Sequence, residues 1–122
     1  PCRVLTSADE LLFELIFKNL YILTTNIAGL KVGGTVGELW ADHQTLARAI
    51  AGDVLGIQFY LVGKEFDRDK LITAMVKAFE GDPDHLCMGR SAPARLERAL
   101  KIAHEAQLHV GKIQEIAEIT KA

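Results

Sequence analysis

A long apolar segment dominates the sequence: residues 7–29 read SADELLFELIFKNLYILTTNIAG. Its first four residues have the S-x-x-E pattern of a capping box, which predicts that a helix begins at Ser7. Apolar residues then follow on nearly every side of the helix until Gly29, where a glycine can adopt the left-handed conformation that ends helices. We therefore predict a long, central and mostly buried helix over residues 7–29.

Charged and polar residues interrupt this segment, which argues against a membrane span. Glu14, Lys18 and Asn19 lie within it, and an ionisable group at the centre of a bilayer costs about 2.5–3.5 kcal/mol. The prediction is a buried helix and no membrane association.

The rest of the chain continues with helical spacing and shows no alternation of period two. A glycine turn at residues 31–34 is followed by a helix capped by Thr35 and Glu38 and by a helix over 43–62 that Gly63 ends. The next predicted helix runs from Asp67 to the break at Gly81-Asp82-Pro83. The last two are a helix begun by Ser91 and Pro93 that continues through Leu108 and a short helix after Gly111. Gly52 and Gly56, one turn apart, predict a close approach between helices. We expect an all-α fold, an irregular bundle of about five to six helices around the long helix.

Composition restricts the function. The chain has 122 residues, with 14 Lys+Arg against 16 Asp+Glu and a net charge of -2. This size fits a single helical domain, and the charge balance disfavours a main role in binding nucleic acid. Two cysteines, Cys2 and Cys87, without paired spacing indicate reduced thiols and a cytoplasmic protein.

Lys18 and Asn26 are the polar residues of the long helix that carry chemical interest. Steps of four residues from Lys18 through Ile22 to Asn26 keep them on neighbouring positions of one side. A lysine surrounded by apolar groups has a lowered pKa and can act as a general acid or base. The alternative is that Lys18 pairs with Glu14 or extends into water.

A second cluster of interest lies before the fifth helix, in HLCMGRSAPAR over residues 85–95. The helix start, together with Arg90, Ser91 and Arg95, suits a carboxylate or phosphate; alternatively, Ser91 is an N-cap and the arginines are solvated. His85 and Cys87 lack the spacing of a zinc site, so we predict no metal site. They also lack a third residue that would orient them as the base and nucleophile of a catalytic site.

These features resemble the C-terminal helical domain of the ketopantoate reductase family, which has the phosphogluconate-dehydrogenase-like C-terminal fold. In that family a long helix presents a lysine followed at four-residue steps by two asparagines. The matching residues are Lys18, Ile22 and Asn26, and the segments Glu38-Leu-Trp40, the helix ending near Gly63 and Ala99-Leu-Lys-Ile-Ala103 follow in the family's order. Ile22 departs from the pattern, and the family's later serine has no clean equivalent.

The resemblance implies an NADP-dependent 2-keto acid reductase. Lys18 would be the general acid and Asn26 would bind substrate, with Arg90 and Ser91 as further candidates for the substrate carboxylate. The glycine-rich turn of a nucleotide-binding domain is missing from these residues. NADP would therefore be held mainly by an N-terminal domain that is absent from this chain. Residues 1–5 would connect that domain to the helices.

Under this hypothesis the chain is the C-terminal domain of a two-domain protein. It would provide substrate binding and homodimerisation, and it would be inactive in isolation because it holds no cofactor-binding residues. The alternative hypothesis is a non-enzymatic helical interaction or dimerisation module, in which the polar side of the long helix has no catalytic role.

Overall fold

The computed structural model describes residues 7–87 and 92–121 and builds them almost entirely from helices. The helices are α1 (Ser7–Val32), α2 (Val36–Asp42), α3 (Gln44–Val62), α4 (Arg68–Gly81), α5 (Ala92–Ala106) and α6 (Gly111–Lys121). No strand occurs in this part of the chain, so the prediction of an all-α bundle of about six helices is confirmed. Residues 1–5, which would join an N-terminal domain, and the candidates Arg90 and Ser91 lie outside the described residues.

Helix α1 is the centre of the bundle, because it packs against each of the other five helices. Ile16, Leu20 and Ile27 are completely buried in the core. The first half of the helix is different, since Leu11 is 68% exposed and Leu15 49% exposed. Burial on every side therefore holds only for residues 24–29 of α1, and one apolar side of its first half faces away from the core.

The predicted end of α1 at Gly29 is wrong. Gly29 is buried inside the helix, which continues to Val32. The left-handed residues are Gly33 and Gly34, with φ of 65° and 75°. The Gly33 amide donates to the Gly29 carbonyl at 2.9 Å, which closes the last turn four residues later than the sequence pattern predicts.

The locally encoded helix ends agree with prediction. The Thr35 hydroxyl accepts from the Glu38 amide at 3.2 Å, and the Glu38 carboxylate accepts from the Thr35 amide at 3.0 Å. Asp67 accepts from the Lys70 amide at the start of α4. Gly63 ends α3 in the left-handed conformation, with φ of 73°.

The segment after α4 is held against the start of α2. The Val36 amide donates to the His85 carbonyl at 2.8 Å, and the Cys87 amide donates to the Gly34 carbonyl at 2.9 Å. Thr35 and Leu86 form an isolated antiparallel bridge. The sequence predicts only a break in helix between Gly81 and Ser91, and the structure shows that the segment up to Cys87 is a loop fixed by backbone hydrogen bonds.

Two further expectations fail, one about the packing of α3 and one about the end of α5. A Cβ placed on Gly52 or Gly56 would meet no atom within 4 Å, so these glycines mark no close approach within the chain. Helix α5 ends at Ala106, before the predicted Leu108, because Gln107 adopts a φ of 58°.

Two helices, over Glu10–Val32 and Gln44–Val62, are long and apolar enough to cross a membrane, each with a mean hydropathy of 1.3. Within the bundle 39% and 44% of an apolar 18-residue stretch of these two helices is buried. Because core helices of globular bundles have the same length and composition, the expectation of no membrane association stays a prediction.

Candidate functional site

Lys18 lies on the open side of α1, where it borders a shallow apolar groove of about 570 Å³. We call this the α1 groove; its lining consists of Glu14, Leu15, Phe17, Lys18, Tyr21 and Ile22 of α1 and Ala78 of α4. The side chain of Lys18 is exposed. The apolar enclosure that the sequence predicts for this lysine is therefore not found, and any solute can reach its ammonium group.

Asn26 has a different environment from Lys18. It is only 8% exposed, and its Nδ2 donates to the Ile22 carbonyl at 2.7 Å within α1. Eight residues separate it from Lys18, which corresponds to about 12 Å along the helix axis. Asn26 does not line the α1 groove, so the structure does not bring the two residues together. Substrate binding by Asn26 stays a prediction.

Lys18 also does not form the alternative ion pair with Glu14. Both side chains are exposed one helical turn apart, and neither belongs to an ion pair among the described residues. The α1 groove therefore carries one negative and one positive group that are available to an external partner.

A second pocket lies between α1, α3 and α5, with a volume of about 340 Å³. We call it the arginine pocket, because Arg95 and Arg98 of α5 line it together with Asn19 and Gln58. Arg95 is partly buried and Arg98 is exposed. Arg95 belongs to the cluster that the sequence singled out for anion binding, whereas Arg90 and Ser91 lie outside the described residues.

Asn19 and Gln58 join α1 to α3 through their side-chain amides. Asn19 Nδ2 donates to Gln58 Oε1 at 3.0 Å, and Gln58 is only 5% exposed. Sequence reasoning missed this pair because its members are 39 residues apart. The available signal was a polar residue, Gln58, in the apolar run of α3.

Cys87 is buried, and its surroundings disfavour the thiolate form. Only 2% of it is exposed, and burial together with the charge of Glu38 raises the pKa of its thiol to about 11. His85 is mostly exposed, with its Nδ1 3.8 Å from an Asp82 carboxylate oxygen. A protonated, buried thiol is a poor nucleophile.

Metal ligation has no support in the described part of the chain. Residues 7–87 and 92–121 bring no three His, Cys, Asp or Glu side chains into one group that could hold a metal ion.

Comparison with known proteins leaves the geometry as the main guide to function. No protein-family model, curated protein or solved structure matches this chain. The resemblance to the ketopantoate reductase family therefore rests on the sequence motifs alone, which are the residues around Lys18 and the later segments in the family's order.

Proposed function

We propose that this chain is a helical dimerisation module, in which the open side of α1 pairs with the same surface of a second copy. The observation that carries the proposal is the exposure of large apolar side chains along the first half of α1, beside the α1 groove. Contiguous exposed apolar surface is typical of interaction sites.

The spacing along α1 fits helix pairing. Leu11, Leu15, Lys18 and Ile22 follow one another at steps of four, three and four residues. This is the spacing with which two helices align a seam of side chains in a coiled-coil contact. Leu11 and Leu15 are exposed, and Ile22 is partly exposed in the groove.

The charges beside this seam favour a second copy as the occupant. In a two-fold contact each residue meets a counterpart of the other copy reciprocally. When two α1 helices pack antiparallel about an axis near Ile16, Glu14 of each copy lies opposite Lys18 of the other. Glu14 and Lys18 are exposed and form no ion pair with each other. Their charges on one copy are thus complementary to the same two charges on the second copy.

Sedimentation equilibrium on the 122-residue chain tests this proposal. We expect a dimer, and Leu15→Glu should make it monomeric because the apolar end of the leucine side chain is replaced by a carboxylate, which is costly to bury. Leu61→Glu is the matched control, since Leu61 of α3 is 52% exposed and Leu15 49%; it should leave the dimer intact. A wild-type monomer at high protein concentration would overturn the proposal.

Charge exchange tests the antiparallel arrangement itself. Glu14→Lys or Lys18→Glu alone places like charges opposite each other and should raise the dimer Kd by about tenfold. The double variant Glu14→Lys/Lys18→Glu restores opposite charges and should restore the wild-type Kd. A double variant as weak as the single variants would contradict this arrangement.

The reductase hypothesis is the second candidate function. The accessibility of Lys18 at the edge of the α1 groove favours it, because a proton donor must be reachable by a substrate. The 2-keto acid substrate, the missing nucleotide-binding domain and NADP belong to this proposal, with Asn26, Arg90 and Ser91 as substrate ligands.

The same variants separate the two functions. Joined to a nucleotide-binding domain, Lys18→Ala should lower turnover of a 2-keto acid by about 10²–10⁴-fold if Lys18 is the general acid. The double charge exchange also removes the lysine from position 18, so it should restore dimerisation without restoring turnover. Unchanged turnover in both variants would exclude the reductase role of Lys18.

A further inference from the structure

We propose that the arginine pocket binds a small organic carboxylate that carries an apolar body. This inference concerns a different surface from the dimer contact and does not depend on it. The arginine pocket has a volume of about 340 Å³, which lies in the range of small-molecule sites, and three helices contribute to its lining.

The charge of the pocket defines the ligand's head group. Arg95 and Arg98 lie one turn apart on α5, a spacing that places two side chains next to each other on a helix surface. None of the ion pairs formed by the described residues includes either arginine. Guanidinium groups bind carboxylates through paired hydrogen bonds, so an anion would supply the partner that the described residues do not.

The Asn19–Gln58 pair adds hydrogen-bonding capacity beside the arginines. The hydrogen bond between them uses the nitrogen of Asn19 and the oxygen of Gln58. A side-chain amide has both an accepting oxygen and a donating nitrogen. Because the oxygen of Gln58 is used by Asn19, its Nε2 can donate to a ligand oxygen. Gln58 as a whole is only 5% exposed, and its Nε2 is not among the buried unpaired atoms of the described residues.

The remaining lining sets the body of the ligand. Leu23, Leu61 and Ile102 contribute apolar walls from α1, α3 and α5. A bare inorganic anion would leave these walls uncovered, whereas a carboxylate with a short hydrocarbon chain satisfies both parts of the pocket. The ligand class is therefore a small aliphatic carboxylate.

Calorimetric titration of the 122-residue chain with hexanoate tests the proposal. A ligand of this size in a fitting site binds with a Kd of about 0.1–1 mM. 1-Hexanol has the same body without the charge, and inorganic phosphate has charge without the body, so both should bind far more weakly. Equal binding of either compound, or no binding of hexanoate at about 10 mM, would overturn the proposal.

Substitution of the arginines locates the site. Arg95→Gln and Arg98→Gln should each raise the hexanoate Kd by about tenfold, since each removes a charged hydrogen-bond donor. The control is Arg48→Gln, whose guanidinium stacks 5.0 Å from the centre of the Trp40 ring, outside the pocket; it should not change the Kd. Circular dichroism confirms folding, and an unchanged Kd in both pocket variants would exclude this site.

Discussion

A buried hydroxyl group in the centre of α1 has no hydrogen-bond partner. Thr24 is completely buried, and its Oγ1 is unpaired in the described part of the chain. The next residue, Thr25, is also buried, but its hydroxyl donates to the Tyr21 carbonyl at 2.9 Å. An unsatisfied buried polar group costs about 1–3 kcal/mol, so these adjacent threonines differ in their contribution to stability.

Thr24→Val should stabilise the protein by about 1 kcal/mol, because valine keeps the shape and removes the unsatisfied hydroxyl. The measurement is chemical denaturation. Thr25→Val is the matched control, and it should be neutral or destabilising because it removes a hydrogen bond. A loss of stability in Thr24→Val equal to that of Thr25→Val would show that the Thr24 hydroxyl is satisfied.

The Cys87 thiol should resist modification in the folded protein. With its pKa raised from 9.0 to about 11, the thiolate fraction at pH 8 falls about 100-fold. In a Cys2→Ser background, reaction with a disulfide reagent should therefore be slow before unfolding and fast after it. Equal rates in the two states would contradict the burial of this side chain.

The same pKa shift gives a pH dependence of stability. The unfolded thiol ionises near 9.0 and the folded thiol near 11, so above pH 9 the unfolded state loses its proton first. The free energy of unfolding should be unaffected by Cys87 below pH 9 and should fall as the pH rises towards 11. Cys87→Ala should remove this component of the alkaline loss.

Single residues show why part of the site could be predicted and part could not. The sequence correctly places Lys18 and Asn26 on the long helix. Their different exposure depends on which side of α1 meets the other helices, and a helix with apolar residues all round gives no signal of that choice. The Asn19–Gln58 contact likewise requires the packing of α1 on α3.

Helix boundaries show the same division between local and long-range information. The Thr35 and Asp67 caps and the Gly63 end depend on neighbouring residues, and all three are predictable. Helix α6, in contrast, is capped from α3: the Asp53 carboxylate accepts from the Lys112 and Ile113 amides at 3.0 and 3.1 Å. A cap supplied from 59 residues away has no local sequence pattern.

The junction between α2 and the segment after α4 depends on Gly37. A Cβ at this position would lie 2.9 Å from both the Cβ and the carbonyl oxygen of Pro83. Gly37→Ala should therefore destabilise the protein by about 1–3 kcal/mol, as overpacking does. Thermal denaturation measures the change.

Gly52→Ala is the control for this prediction, because an added Cβ meets no atom within 4 Å there. Within α3 it should stabilise the protein by about 0.5–1 kcal/mol, since alanine has the higher helix propensity. Equal effects of the two substitutions would contradict the contact between Gly37 and Pro83.

At the scale of the whole molecule, the distribution of apolar residues determines the fold class. It does not determine whether an exposed apolar surface of the bundle contacts a protein partner or lipid. Length and periodicity correctly predict a bundle of about six helices around α1. The same apolar content gives α1 and α3 the length and hydropathy of membrane spans. Sequence patterns cannot distinguish a surface that faces a partner from one that faces lipid, because both are apolar.

The isolated 122-residue chain should not bind NADPH measurably. Residues 7–87 and 92–121 contain no strand that leads through a glycine-rich turn into a helix, the arrangement that holds dinucleotide phosphates. The glycine pair 33–34 instead follows helix α1 and precedes the seven residues of α2. Isothermal titration tests this expectation, and micromolar binding would refute it.

The bridge between Thr35 and Leu86 also constrains the order in which the molecule assembles. Its two partners are about 50 residues apart in the sequence, whereas the hydrogen bonds within each helix join residues only four apart. The bridge is therefore the less local contact and forms more slowly. We expect α2, α3 and α4 to form and dock before the bridge closes. The Cys87 amide, which donates across this junction, should then gain protection from hydrogen exchange late in refolding, after the amides of α3.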